Sequence, residues 1–412
     1  MSRPGRPLLF LEPGHFHAAL TLRVPHPRVA DEIVVYAPEG PERLDFLALV
    51  DRFNRRAAQP TRWRVDVVTT SDPLGRLIEE RRGDVVVVAG KNGGKAPTIR
   101  RLHDASFHVL ADKPWLVAPA DLAEVRASLA GWPLVTEIMT GRHDVAARLL
   151  KRVIDTPEVF GHFRDGAPAI EMESVHHLEK LVDGVPLRRP WWFFDVRVQG
   201  RGVVDIPTHL VDRSQWLVDG APRLVSARSW PTRVPQEVFR RITGESDFPS
   251  ALEPCVEGDA LIYECNADLV YRIGDVVTQA SARWELTPPR GGGDTSRLVA
   301  RGRRADVRLE QSAATGHRRA LIVDAFEDRA ERAVTPVVSA AQPEFPGLRA
   351  ERRGARSYEL LIPAGLDGGH EAHFALVLDA FLRAIDEHRW PADVAARTLA
   401  KYALLAEAGA AT

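Results

Sequence analysis

Cysteine is nearly absent from this chain: only Cys255 and Cys265 occur in 412 residues. Ten residues apart, they suit cross-strand neighbours, but one pair in so long a chain makes no disulfide framework. An excess of charge is also missing, since 55 Lys and Arg stand against 56 Asp and Glu. The resulting net charge of −1 gives no basic footprint for nucleic acid. No apolar run approaches the ~20 residues of a membrane span. Residues 1–7 are basic and proline-bearing, but the apolar run after them stops at Glu12-Pro13-Gly14, too short for a signal-peptide core. These absences predict no nucleic-acid partner, no membrane, and a reducing, cytoplasmic setting. The apolar fraction, 45%, is that of an ordinary globular protein, and the length predicts two or three domains or one core with a large second lobe.

The first third alternates strands with helices. Pro7–Leu11 reads as a buried strand ending in Glu12-Pro13-Gly14-His15-Phe16-His17, with a helix from Ala18. Strands follow at 32–37, 64–69, 84–89, 107–111 and 133–139, with helices at 41–58, 72–81, 96–105 and 119–129. This alternation predicts a parallel, doubly wound sheet, an α/β domain over residues 1–137. Ligands on such sheets bind beyond the carboxyl ends of the strands, where Gly14, Glu39, Asn92 and Lys113 all fall. Of the three glycines in a G-x-G-x-x-G dinucleotide loop only Gly14 is present. His15 and Phe16 flank it at the helix start. Glu39 is the acid nearest the position that binds an adenosine ribose. Gly14 alone also fits a plain strand-to-helix turn, and Lys113 alone a solvated turn residue.

Residues 138–412 read as an α+β lobe built on a mostly antiparallel open sheet. After a helix at 145–154, strands are expected at 261–269, 269–273, 276–286, 305–311, 320–323 and 357–362, and the chain closes on helices at 373–387 and 394–408 that are expected to pack back on the first domain. Two acids and two histidines crowd Glu171-Met172-Glu173-Ser174-Val175-His176-His177. Pro190-Trp191-Trp192-Phe193-Phe194-Asp195 is dense in aromatics, a core signal that equally suits the apolar face of a sugar. Glu171, His176, His177 and His209 form an alternative metal-ligand set, although no metal is the preferred reading. Adjacent histidines on a strand point to opposite faces, so at most one of His176 and His177 reaches a shared centre.

Gly200-Arg201-Gly202-Val203-Val204-Asp205-Ile206-Pro207-Thr208-His209-Leu210-Val211-Asp212 reads as a loop, a short apolar strand, then a helix opening at Ile206 or Pro207. Ile206, Leu210 and Leu217 form one stripe; Asp205, His209, Asp212 and Trp216 form another. Asp205 and His209 therefore face one way and can handle a proton together. On spacing alone, Asp205 as a helix cap with His209 as its polar neighbour explains the pair as well.

Together these segments resemble the Gfo/Idh/MocA oxidoreductases. Val85–Ala89, Asn92 and Val109-Leu110-Ala111-Asp112-Lys113-Pro114 are similar to that family's strand–Asn–strand–Glu-Lys-Pro run. Gly200 to His209 is similar to its Gly-Gly-Gly … Asp-x-Gly-x-His run, and His373-Phe374 … Phe381-Leu382 … Ile385 with Trp390-Pro391 to its closing helix. The Glu-Pro-Gly-His-Phe-His, Ser-Val-His-His and Arg-Pro-Trp-Trp segments resemble a divergent branch with its own oxidoreductase C-terminal domain. The resemblance implies a Rossmann-like domain for NAD or NADP, a carbohydrate-like substrate on the second domain, and a homodimer or homotetramer. It makes Lys113, Asp205 and His209 catalytic and places Asn92 and Lys113 beside the cofactor. Arg142, His176, His177, Trp191 and Trp192 become substrate contacts. Hydride transfer with a secondary hydroxyl of a sugar, glycoside or cyclitol is the expected reaction. The alternatives are a lyase or glycosidase that uses tightly bound NAD transiently, and a non-catalytic sugar or nucleotide sensor. Three departures stand out: Glu12 and His17 lie near the missing fingerprint glycines, Asp112 replaces glutamate, and Pro207 replaces glycine.

Overall fold

The computed structural model describes residues 5–182, 185–289, 292–366, 368–389 and 392–412, so the expected Trp390-Pro391 motif lies outside the described residues. Two compact units are present, Met1–His143 with Gly368–Tyr402, and Asp144–Asp367 with Ala403–Thr412.

The first unit is built on six parallel strands: β1 (Arg6–Leu11), β2 (Val29–Ala37), β3 (Arg64–Thr69), β4 (Val85–Val88), β5 (His108–Asp112) and β6 (Val135–Ile138). Their order is β3-β2-β1-β4-β5-β6, so the winding reverses between β1 and β4 and opens a crevice at their carboxyl ends. All four valines of β4 are buried, as a strand covered on both faces requires. The connecting helices are α1 (His17–Leu20), α2 (Pro41–Arg55), α3 (Pro73–Glu80), α4 (Lys95–Asp104) and α5 (Leu122–Ser128). Proline stands in the first turn of α2 and α3, and the Asp72 carboxylate accepts from the Gly75 N–H to cap α3. Helix His373–Asp386 belongs to this unit: Phe374, Leu378, Phe381 and Leu382 join one core with Leu8, Phe10, Ile33 and Val35. Each such buried side chain stabilises by roughly 1.5–3 kcal/mol, which holds a segment distant in sequence in this unit.

The second unit carries a ten-stranded sheet. Its path runs Pro222–Pro235, Ala260–Ile273, Val276–Glu285, Ile170–His177, Thr295–Arg301, Ala305–Gln311, Ala320–Ala325, Ser357–Leu361, Arg349–Arg352, with Val256–Glu257 paired onto Ala260–Ile273. Among the described residues, only Ile170–His177 with Val276–Glu285 is a parallel pair in this sheet.

Several local expectations need correction. Residues 261–273 form one strand with Ala260, not two. Val203 and Val204 lie in a turn rather than a strand, because Gly202 is pressed against the backbone of Cys265 and Asn266. The strand Pro222–Pro235 and the helix Asp328–Ala341 carry internal prolines, Pro231 and Pro336, that mask them in the sequence. Pro231 is tolerated because the strand lies at the sheet edge and bulges between Trp230 and Thr232. Cys255 and Cys265 are both free, and Cys255 sits in a 3₁₀ turn rather than across a strand pair.

Candidate active site

In the first unit the crevice lies against Leu11–Gly14, Ala37–Arg43 and Val88–Lys95. Its floor is a close approach of two loops. The Gly14 and His15 N–H groups donate to the Ala89 carbonyl at 3.2 and 2.9 Å, and Glu12 N–H donates to Tyr36. A Cβ on Gly90 would stand 2.4 Å from the Glu12 carbonyl oxygen, so only glycine fits there. At Gly14 the nearest atoms would lie at 3.5–3.6 Å, which is ordinary contact. Gly90 thus does the close-approach work that the fingerprint assigns to a glycine of the first loop, and sequence reasoning missed it. Its signal is a glycine directly after the central strand.

Three acids, Glu12, Glu39 and Glu42, border the crevice. Burial raises the Glu12 carboxyl; Lys91 opposes the shift and Glu42 adds to it. Glu39 is exposed two residues beyond β2, with Arg43 at 3.8 Å. Arg43 also donates to Thr69 at 2.8 Å. Asn92 is buried, and its Oδ1 accepts from Lys95 Nζ at 2.6 Å; Lys95 also donates to the Asp112 carbonyl at 3.0 Å. These contacts fit the adenosine half of a dinucleotide: an open crevice at the switch point, an acid for ribose hydroxyls, and a flat glycine floor.

Farther along the same strand ends, Asp112 closes β5 and Lys113 follows, half-buried, before a cis Pro114. The Asp112 carboxylate interacts with His15 Nδ1 at 2.9 Å and His17 Nδ1 at 3.0 Å, and accepts the Lys113 N–H at 3.0 Å. Burial alone would raise Asp112, but His17 and His15 outweigh it and hold the carboxyl well below its usual range. Burial pushes His17 down to about 3 despite Asp112, so this imidazole is neutral at pH 7. The exposed Phe16 ring packs beside both histidines, tilted against His15 and edge-on to His17. Arg142 is part-buried in the loop after β6.

In the second unit the turn before helix Pro207–Val218 is set by glycine. Gly200 adopts φ 94°, and Gly202 donates to the Glu264 carbonyl at 2.8 Å while lying flat on the Cys265–Asn266 backbone. Asp205 emerges from this turn only 6% exposed. The helix has Ile206 as its N-cap and no side-chain cap there, so Asp205 stands one residue before the cap position. His209 stands one turn on, part-buried.

A second set of groups surrounds Asp205 through electrostatics. Burial lowers the pKa of the Arg189 guanidinium, opposed by Tyr263, Asp294 and Asp205. Arg189 lies 4.5 Å from the Phe193 ring and 5.1 Å from Trp284, and it donates to the His177 and Leu178 carbonyls at 3.2 Å. Burial lifts the Tyr263 phenol well above its usual range and the Cys265 thiol to about 12, leaving both neutral. His176 bridges Ser174 Oγ, 2.9 Å from its Nε2, and Asp294, 3.4 Å from its Nδ1. Burial alone would raise Asp294, but hydrogen bonds from His176 and Lys180 hold it well below the usual carboxylate range. Hydroxyl, imidazole and carboxylate in this succession can pass a proton.

Both His176 and His177 reach Asp294, His177 Nδ1 at 3.3 Å, so the opposite-face argument fails at this strand end. His177 is the last residue of its strand, and its N–H also donates to Asp294. Trp192 is buried, and Trp191 is half-buried against a core of Phe194, Phe239 and Tyr263. The metal set Glu171, His176, His177 and His209 is not assembled: Glu171 pairs with Arg301 at 2.9 Å. Among the described residues, the group with metal-ligand spacing is His15, His17 and Asp112. Arg189, Ser174, Lys180 and Asp294 are the site groups that sequence reasoning did not single out. Ser-x-His on a strand is a readable signal for Ser174; Asp294, in a Gly/Pro loop more than a hundred residues away, has none.

Comparison with known proteins places this geometry. Residues 149–412 match the family model "Putative oxidoreductase C terminal domain". The chain is similar to a putative oxidoreductase of Parabacteroides merdae ATCC 43184: 35% identity over 100% of this chain and 98% of that one, TM-score 0.94. It also resembles levoglucosan dehydrogenase solved with NADH and levoglucosan (15% identity, 98% and 97% covered, TM-score 0.63). GenD2 from gentamicin A biosynthesis, solved with NAD, gives 12% identity, 100% and 95% covered, and TM-score 0.60. None of the curated proteins matches the chain.

Proposed function

Because the chain belongs to the Gfo/Idh/MocA-type oxidoreductases, in the branch marked by the Putative oxidoreductase C terminal domain, we propose that it is a nicotinamide-dependent dehydrogenase acting on a secondary hydroxyl of a sugar, glycoside or cyclitol. The observation that carries this reading is the crevice at the β1/β4 switch point, with its glycine floor and Glu39 beyond β2. The dinucleotide and sugar complexes of GenD2 and levoglucosan dehydrogenase support it. Gly14, His15, Phe16, Glu39, Asn92 and Lys113 hold the cofactor. Glu39 just beyond β2 suits a free ribose 2′-hydroxyl, which favours NAD over NADP.

When bound, the nicotinamide supplies the hydride acceptor. His209 takes the proton from the substrate hydroxyl, and buried Asp205 orients it. Lys113 stabilises the developing alkoxide with its cation. Arg142, His176, His177, Trp191 and Trp192 contact the sugar, and the Arg189 cation lies within electrostatic reach of Asp205.

The test begins with NADH and NADPH titrations followed by nicotinamide fluorescence, then rates with a panel of pyranosides and cyclitols. NADH binds tighter than NADPH. His209→Ala lowers kcat by roughly 10²–10⁴-fold while NADH affinity stays unchanged. Absence of dinucleotide binding, or full kcat in His209→Ala, rejects the reading. The Ser174–His176–Asp294 relay favours a second reading, transient redox in a lyase or glycosidase. That enzyme turns substrate over with no net change in NADH, and a strict need for added NAD excludes it.

A further inference from the structure

We propose that His15, His17 and Asp112 form a three-ligand site for a divalent transition metal of borderline softness, such as Zn²⁺, Co²⁺ or Fe²⁺. Their ligand atoms all lie within 4.8 Å of one another. His15 Nδ1 and His17 Nδ1 stand 2.9 and 3.0 Å from Asp112 Oδ2. Donors on a tetrahedral ion at ~2.0–2.1 Å are roughly 3.3 Å apart, so a few tenths of an ångström of spreading admits the metal. Two imidazoles and one carboxylate select these ions over Mg²⁺ and Ca²⁺, which prefer oxygen throughout.

The placement argues against a mere polar clasp. His17 stands three residues after Gly14, where the dinucleotide fingerprint uses a small residue for close helix–strand packing. A half-buried imidazole beside a carboxylate only 3% exposed is a costly substitute for glycine unless the cluster binds something. The framework also holds the ligands still. Asp112 is fixed by the Lys113 N–H, and the His17 ring packs at 4.6 Å against Phe374. His15, with a side chain 38% exposed, leaves an entry path. Three protein ligands keep at least one position open, the pattern of sites that bind an exchangeable oxygen ligand rather than of closed structural sites.

The site stands independently of the dehydrogenase reading, because metal binding is measured without dinucleotide or substrate. The full chain is stripped with a chelator and titrated with Co²⁺, followed by visible absorption and by calorimetry. One Co²⁺ binds per chain, Zn²⁺ displaces it, and Mg²⁺ does not. His15→Ala, His17→Ala and Asp112→Asn each weaken Co²⁺ binding by about 100-fold or more; exposed His162→Ala leaves it unchanged. His15→Ala is the decisive variant, since a partly exposed side chain can be removed without unfolding the unit. X-ray absorption of the Co²⁺-loaded wild type reports two imidazoles in the shell. No saturable binding, affinity unaltered in His15→Ala, or a shell with fewer than two imidazoles overturns the proposal.

Discussion

Exchanging glycine for alanine at two positions of the crevice should give opposite outcomes. In Gly90→Ala the new methyl carbon would stand 2.4 Å from the Glu12 carbonyl oxygen. Carbon–oxygen contacts settle near 3.3–3.6 Å, so one loop must retreat by roughly 0.9 Å or more. The atom it meets is backbone, and no rotamer change relieves it. The retreat pulls on the hydrogen bonds from Gly14 and His15 N–H to Ala89, already 3.2 and 2.9 Å long. Overpacking of this kind costs about 1–3 kcal/mol, and the displaced loop is the floor of the crevice. NADH affinity therefore falls roughly 5- to 100-fold, and urea unfolding moves to lower denaturant. In Gly14→Ala the added carbon meets Glu42 and Gly90 at 3.5–3.6 Å, ordinary contact. That variant keeps its stability within about 0.5 kcal/mol. Nicotinamide fluorescence and urea titration of both variants give the comparison. If Gly90→Ala matches wild type, or if Gly14→Ala is the more damaged of the two, the close-approach argument is wrong.

A buried ion pair gives a second expectation: Lys401 donates to Glu137, with side chains 1% and 5% exposed, and Tyr402 donates to the same carboxylate. Lys401→Met strands that carboxylate and costs about 3–5 kcal/mol by urea unfolding, with part recovered in Lys401→Met/Glu137→Leu; unchanged stability in the single variant contradicts the pairing. His108 gives a pH dependence. Its Nδ1 accepts the Leu134 N–H at 3.0 Å, and burial lowers its pKa to about 4, so the folded ring is neutral while the unfolded ring protonates near 6.5. Stability is full above pH 6.5 and is lost as pH falls toward 4, by about 2 kcal/mol between pH 7 and 5. Urea midpoints across that range should show the loss in wild type and not in His108→Asn; equal slopes refute the assignment.

The parallel sheet is legible because several of its strands are short apolar runs between turn residues, and Val85–Val88 leaves no alternative to a covered central strand. The chain ends are less so. That Phe374 and Phe381 complete the first unit's core is a tertiary fact, and no local pattern names the partner of an amphipathic helix. Pro231 and Pro336 hide a strand and a helix because sequence rules penalise proline without knowing that one sits at an edge bulge. At the candidate site, local spacing brings out Asp205 with His209 and Ser174 with His176. It is silent on Asp294, which reaches His176 only because Thr295–Arg301 pairs with Ile170–His177. Likewise His17 and Asp112 meet through the sheet, as β1 and β5 both flank β4.

Asp205 shows how structure shifts the weight between two explanations, of which spacing alone favours the cap. A carboxylate at a helix start is most cheaply explained as a cap, yet Ile206 holds the cap position and no side chain serves it. A carboxylate 6% exposed, one residue before the cap position, is costly to bury without polar or charged company. Arg189 supplies the compensating field, but it is shared with Asp294 and opposed by its own burial. Asp294 is already held by Lys180 at 2.5 Å and by His176 at 3.4 Å. The Arg189 cation thus faces a buried carboxylate that stands one helical turn before an imidazole. The glycines at 200 and 202 fix that carboxylate by letting the turn lie directly on the strand behind it. Backbone fit and charge placement therefore converge on the same side chain, which is what a group that orients a proton acceptor requires.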